Sequence, residues 1–326
     1  MAKNPFYDPT RSHHRPGGFG NPPGNPLWHR PSAGLAAAWA GFARDMLRLR
    51  GLPAPFGPDH ALGLAATLDG FHGGQHRRQA TWLGHASFLL NLDGCHILTD
   101  PFLSDYASPA VKRLVPAALT GEQIPALDIL LLSHNHYDHL DRATLTVLAR
   151  RFPQTQVFVP LGLGPLLKRC GFTRVQELDW YDQQECLGIQ VTAVPAIHMA
   201  RRGLTDMNRT LWCGFALGHQ QWQGYFAGDT AYGPVFREIG ERLGPFDLAL
   251  VPIGAYAPRR LMHCVHSTPE EALEIARLLQ AKNAIAMHWG SIRLTTEPMD
   301  EPPRRFLADP SPQPRQLMAV GETTTI

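Results

Sequence analysis

The chain has little cysteine. Its five thiols (Cys95, Cys170, Cys186, Cys213, Cys264) are scattered, odd in number and form no CxxC pair. That excludes a disulfide framework and a cysteine metal finger, and it predicts reduced thiols in a cytoplasmic protein. No apolar run approaches the roughly 18–20 residues of a membrane-spanning helix. The segment Met1-Ala2-Lys3-Asn4-Pro5 lacks the apolar core of a secretory signal. Charge is sparse as well, 18% with a formal net of +2, and without basic runs. Nucleic acid held by bulk electrostatics is therefore not an expected partner. What the chain does have is histidine, 16 residues of it, which directs attention to metal.

The first thirty residues are rich in Pro, Gly, Asn and His and offer little to bury, so they predict an irregular arm. Leu35, Ala38, Trp39, Phe42, Met46 and Leu49 then recur at helical spacing, with Arg44, Arg48 and Arg50 among them. The stretch from Pro53 to Pro58 ends that helix. Such a segment either packs on its own domain or rests on an anionic membrane surface from the cytoplasmic side.

Beyond Thr81 the texture changes to short apolar runs bounded by Gly, Pro, Asp or His. Ser87–Leu92, His96–Leu98, Ile129–Leu132, Val157–Val159, Ile189–Val194, Leu211–Leu217, Tyr225–Ala227, Leu248–Ile253 and Ala284–Met287 predict buried strands. Helical patterns fall between them at Arg142–Arg151, Leu163–Arg169, Val235–Leu243 and Pro269–Leu279. The last opens on Thr268-Pro269-Glu270-Glu271: a capping hydroxyl, a first-turn proline, then acids at the positive dipole end. The fold class is α/β, layered, with no repeat and no linker after residue 80. Residues 1–60 are read as arm and helix, and 61–326 as one catalytic domain.

The strongest signal is Ser133-His134-Asn135-His136-Tyr137-Asp138-His139, directly after the buried run Ile129–Leu132. A strand that ends in a tight loop aims several short side chains at one point. Imidazoles two apart, a carboxylate and a further imidazole suit borderline divalent ions and leave a position open for water. His198, Asp229 and His288 each follow another predicted strand. Any one alone reads as a satisfied polar group; together with the loop they make seven ligand-type residues.

The order HxHxDH, His, GD, His resembles the metallo-β-lactamase superfamily, whose fold is an αββα sandwich with metals at one edge between the sheets. The resemblance implies that His134, His136 and His198 hold one metal, that Asp138, His139 and His288 hold the second, and that Asp229 bridges them. Two Zn²⁺ are implied, with Mn²⁺ or Fe²⁺ able to use similar sets. His139 disfavours antibiotic hydrolysis, and His136 with no flavodoxin domain disfavours a flavodiiron oxidoreductase.

Thr81-Trp82-Leu83-Gly84-His85-Ala86-Ser87, Leu98-Thr99-Asp100-Pro101, Gly228-Asp229-Thr230-Ala231-Tyr232, Tyr256-Ala257-Pro258-Arg259 and His266-Ser267-Thr268-Pro269-Glu270-Glu271-Ala272 are similar to the N-acylphosphatidylethanolamine-hydrolysing phospholipase D branch. That resemblance implies phosphodiester hydrolysis of a phospholipid through a metal-bridging hydroxide, with Asp138 helping to orient it and Asp229 holding the metal pair together. Met199, Arg260 and Leu261 depart from the branch's usual aromatics, which leaves the substrate open. A sugar-phosphate lactonase acting on a small molecule is the alternative enzyme, and a non-catalytic metal-binding protein the alternative of another class. The oligomeric state is not fixed; a homodimer is one option.

Around the ligand set, Asp100 reads as an acceptor fixing a histidine tautomer, or as a strand-terminal turn residue. His85 reads as a phosphate contact or a core histidine. His266 reads as a proton donor or a capping contact at a helix start. Tyr256 and Arg259 read as phosphate binders, with a surface salt bridge the alternative for Arg259.

Overall fold

The computed structural model describes residues 3–26, 33–73, 78–109 and 111–326. Fourteen strands build its two main sheets, seven in each. In chain order the first sheet takes β1 (Gln79–Gly84), β2 (Ser87–Leu92), β3 (Cys95–Thr99), β4 (Ile129–Leu131), β5 (Gln156–Pro160) and β6 (Arg174–Leu178). The second takes β7 (Gln183–Cys186), β8 (Ile189–Val194), β9 (Gly214–His219), β10 (Trp222–Phe226), β11 (Leu248–Pro252), β12 (Asn283–Met287) and β13 (Arg315–Gln316). The last strand, β14 (Thr323–Thr325), returns to pair with β1. Each sheet is antiparallel at one end and parallel at the other, with parallel ladders β3-β4-β5-β6 and β10-β11-β12-β13.

Side-chain alternation sorts the strands into layers. Ile129, Leu131 and Phe158 enter a core shared with Val191, Phe215, Leu217 and Phe226 of the second sheet. Leu130, Leu132, Val157 and Val159 face the other way, against Leu145 and Leu148 of α3 (Arg142–Arg151) and Leu167 of α4 (Gly164–Cys170). Strands buried on both faces are why these stretches read as unbroken apolar runs. Of the other helices, α1 is Ala33–Leu49, α2 Leu64–Gly73, α5 Val235–Leu243, α6 Arg259–Met262, α7 Pro269–Leu278 and α8 Glu301–Ala308. Asp141 caps α3 through the amides of Ala143 and Thr144, and Thr268 with Glu271 forms a full capping box on α7. The fold is the layered α/β arrangement expected of metallo-β-lactamase relatives.

Three expectations are sharpened. The run Leu211–Leu217 becomes strand only at Gly214, because Leu211 and Cys213 bond outward to the Leu161 and Ser133 carbonyls. The arm is irregular apart from a short hairpin pairing His14–Arg15 with Gly18–Phe19. The helix read at residues 35–50 packs on its own protein: Leu35, Ala38, Trp39 and Phe42 lie against Leu261, Met262, Cys264 and Val265. His29 and His76 lie outside the described residues. Among the described residues no helix is long and apolar enough to cross a membrane.

Candidate metal centre

The site lies beyond the carboxyl ends of β4, β8, β10 and β12, where their loops converge. His134, His136, Asp138 and His139 follow β4; His198 follows β8; Asp229 follows β10; His288 ends β12. All seven are buried but for the half-buried His136. Several loops turn through left-handed backbone: His85 at φ 57°, Asp100 at 32°, Gly228 at 58° and His288 at 61°. At Gly228 this conformation and the lack of a side chain are both required, since a Cβ there would lie 2.6 Å from the Ser133 Cβ.

Two groups of donors meet at Asp229. In the first, His134 Nε2 and His136 Nδ1 are 2.9 Å apart, His198 Nε2 and His136 Nδ1 3.2 Å. Asp229 Oδ2 stands 3.8 Å from His134 Nε2 and 3.7 Å from His198 Nε2. In the second, Asp138 Oδ2 lies 3.6 Å from His139 Nε2 and 3.7 Å from His288 Nε2. Asp229 closes that group too, 3.1 Å from each of the same two nitrogens.

The outward nitrogens of His134, His139 and His198 are tied down. His139 Nδ1 bonds Asp100 Oδ2 at 2.7 Å, and His198 Nδ1 bonds the Val265 carbonyl at 2.8 Å. Ser133 Oγ donates to Asp100 Oδ2 at 2.5 Å and sits 2.8 Å from His134 Nδ1. The inner nitrogens are therefore aimed inward.

Burial by itself disfavours every charge in this cluster. At Asp138 and Asp229 it is outweighed by His139, and at Asp229 also by His288, so both carboxyls fall far below the usual range. The reciprocal pull of Asp229 and Asp138 overrides burial at His139, raised well above an ordinary imidazole, and at His288, pushed up to about 9. Burial prevails at His134, His136 and His198, whose imidazoles stay neutral.

These residues fit a pair of divalent cations. His134 Nε2 and His198 Nε2 lie 2.9 and 3.2 Å from His136 Nδ1, and the outer nitrogens of His134 and His198 are held elsewhere. His139 Nε2, His288 Nε2 and Asp229 Oδ1 are buried without a hydrogen-bond partner. Buried polar atoms converging on one point belong with a bound ion.

His85 reaches Asp138 Oδ2 with its Nε2 at 3.0 Å, and its ring lies tilted at 40° with its centroid 4.1 Å from that of His288. His266 lies with Asp229 and His288, its Nδ1 buried and unbonded. Burial pushes both down to about 3, the nearness of His288 adding to it. Two placements differ from the phosphate-binding expectation. Arg259 is spent on Glu271, at 2.5 and 2.6 Å, and on the His266 carbonyl at 2.6 Å. The Tyr256 hydroxyl donates to Glu301 at 2.7 Å. Arg259 thereby braces the turn that carries His266, while Tyr256 ties its own loop to the start of α8.

Ser133 and the arm's Asn21 also serve the cluster and were not singled out in the sequence. Ser133 opens the quoted motif, a signal in plain view. Asn21 accepts the His198 amide at 3.0 Å from a segment with no motif at all.

A family model described as the β-lactamase superfamily domain matches residues 96–289. The chain is 42% identical over 251 residues to N-acyl-phosphatidylethanolamine-hydrolyzing phospholipase D 1 of Caenorhabditis elegans, covering 72% of this chain and 70% of that protein. It is 31% identical over 222 residues to a UPF0173 metal-dependent hydrolase of Koribacter versatilis, covering 66% and 86%. Among solved structures, Igni18, a metallo hydrolase of Ignicoccus hospitalis, superposes with a TM-score of 0.59 at 22% identity over 76% of this chain and 98% of that one. That last likeness is one of fold.

Proposed function

The chain belongs to the β-lactamase superfamily domain family as a metal-dependent hydrolase, and we propose that it cleaves the phosphodiester of an N-acylphosphatidylethanolamine-like lipid at a two-zinc centre. The observation that carries this reading is Asp229. Its Oδ2 lies near His134 and His198 of the first donor group and His139 of the second, and its Oδ1 lies near His288 of the second. His134, His136 and His198 would hold one metal, Asp138, His139 and His288 the other, and Asp229 both. Metals held there would lower the pKa of a water from about 15.7 toward 7 and would polarise a phosphoryl oxygen.

The protein's own groups do the rest. Asp138, fixed by His85, offers an oxygen to orient the attacking water. His266, neutral and half-buried with its Nδ1 unbonded, stands beside Asp229 to share a proton with the leaving oxygen. Asp100 keeps His139 in one tautomer. A lipid substrate is supported by the name of the Caenorhabditis relative and by an apolar cluster that reaches the neighbour of His198. Met199, next to His198, joins Leu35, Trp39, Phe42, Leu261 and Met262 there. Exposed Arg44, Arg48 and Arg50 on and just beyond α1 suit the anionic surface from which such a lipid is drawn.

The test is metal content by elemental analysis, with hydrolysis of N-acylphosphatidylethanolamine and of bis-p-nitrophenyl phosphate, for wild type and Asp229→Ala. Near two metals per chain, with lipid cleavage abolished in the variant, is the expected result. Two metals without phosphodiester turnover would transfer the site to a lactonase or another ester hydrolase. Absence of stoichiometric metal after chelator-free purification would sink the reading.

A further inference from the structure

Asn21 sits in the arm, outside the matched family segment of residues 96–289, yet it meets the site directly. Its Oδ1 accepts two hydrogen bonds, from the His198 backbone N–H at 3.0 Å and from the Trp212 indole N–H at 3.1 Å. Its Nδ2 donates to the Pro26 carbonyl at 3.2 Å. The same indole N–H is shared with the Ala196 carbonyl at 2.9 Å, so Asn21 and Trp212 together fix Ala196–His198. On the opposite side that segment is bound to the Asp229 loop. The Ile197 amide donates to Thr230 Oγ1 at 2.9 Å, and the Ile197 carbonyl accepts the Ala231 amide at 2.8 Å. His198 is thus clamped between the arm and the loop of the central carboxylate, while Val265 holds its Nδ1.

The arm is itself latched on both sides of Asn21. Before it, His13 and His14 bond the two oxygens of buried Asp179 at 2.6 and 2.9 Å. Arg11 approaches the same carboxylate at 3.3 Å. That guanidinium makes the trio a carboxylate held by donors, not a cation site. After it, Asn25 accepts the Val235 amide at 3.4 Å.

We propose that Asn21 is a positioning residue of the metal centre, and that the N-terminal arm completes the site by fixing His198 through it. This rests on the two-metal reading above. The carbonyl of one asparagine sets the height and tilt of the His198 backbone, and with Nδ1 pinned at Val265 the imidazole has one orientation left. Loss of that acceptor frees the backbone and loosens one metal of the two.

The experiment follows zinc release from the full-length, zinc-loaded protein to a chromophoric chelator. Wild type is compared with Asn21→Ala, Asn21→Asp, Asn21→Gln and Asn4→Ala. Asn4 Nδ2 donates to the Gly18 carbonyl at 2.8 Å, so its variant loosens the arm's hairpin without touching His198. Asn21→Ala is expected to release one of the two metals about 10- to 100-fold faster, the range for loss of an outer-shell partner. Asn21→Asp keeps both accepted bonds and is expected near the wild-type rate. Asn21→Gln keeps the amide but displaces it by one methylene, and its faster release covers the case in which the alanine variant does not fold. Asn4→Ala is expected to lose thermal stability with release unchanged. Wild-type release from Asn21→Ala or Asn21→Gln, or equal acceleration in Asn4→Ala, overturns the inference and leaves the two-metal reading intact. A wild type that binds no zinc overturns both.

Discussion

Asp100 carries more of the site than any residue outside the ligand set. Its carboxylate takes His139 Nδ1 at 2.7 Å, the Ser133 amide at 2.7 Å and the Ser133 hydroxyl at 2.5 Å. It is fully buried and turns through φ 32°, a backbone conformation that costs about 1–3 kcal/mol and persists only where surroundings enforce it. The strain and the burial are both compensated by these three bonds. Removing the carboxylate leaves His139 free to rotate or change tautomer and leaves the Ser133 donors unpaired. Asp100→Ala is therefore expected to weaken metal binding by about 10- to 100-fold, read by chelator competition at fixed pH. Unchanged affinity would reduce Asp100 to a turn residue of the strand end.

At the scale of elements, what could be read in the sequence follows the depth of burial. β2, β4, β8, β11 and β12 are buried on both faces, and each stood out as an apolar run. The edge strands β6 and β7, Arg174–Leu178 and Gln183–Cys186, expose alternate or successive polar residues and gave no such signal. Helix α8 was hidden by Pro302 and Pro303, which fit its first turn but look like breakers in sequence. The ligand-type residues were legible because each ends a strand. Asn21 was not, since its partners His198 and Trp212 are distant in the chain and any asparagine in a Pro/Gly/Asn-rich arm looks alike. The arm's docking was equally hidden, although it rests on one carboxylate. Burial raises Asp179, but the hydrogen bond and charge of His13 outweigh this and hold it below the usual range. A depressed carboxyl stabilises fully above its unfolded pKa, about 3.9, and loses that contribution as pH falls through the lowered folded value. Asp179→Asn is thus expected to cost about 1–3 kcal/mol near neutral pH. In urea unfolding, the gap from wild type should close as pH drops below about 4; a gap that stays constant with pH would remove the charge from the explanation.

On the scale of the whole molecule, the site is the place where the two sheets are joined. Asp100, His134, His136, Asp138 and His139 extend from the first sheet, and His198, Asp229 and His288 from the second. Imidazoles and carboxylates from both sides meet in a buried cluster at the open edge of the sandwich, where no apolar packing can replace them. Metals held by both sets bind only the native arrangement, so they stabilise it by mass action, by about 4 kcal/mol at a thousandfold excess over Kd. For a chain of this size each kcal/mol moves the melting temperature by about 1.5 °C, so each metal stripped should lower it by roughly 6 °C. The loss is bounded from above because His139 and His288 gain protons and partly neutralise Asp138 and Asp229 without help. Differential scanning calorimetry before and after chelation, with metal content measured on each sample, checks this, and added zinc should restore the original transition. If a sample shown to have lost its metals melts where the loaded protein does, the sheets are held by their shared core alone and the cluster contributes nothing to joining them.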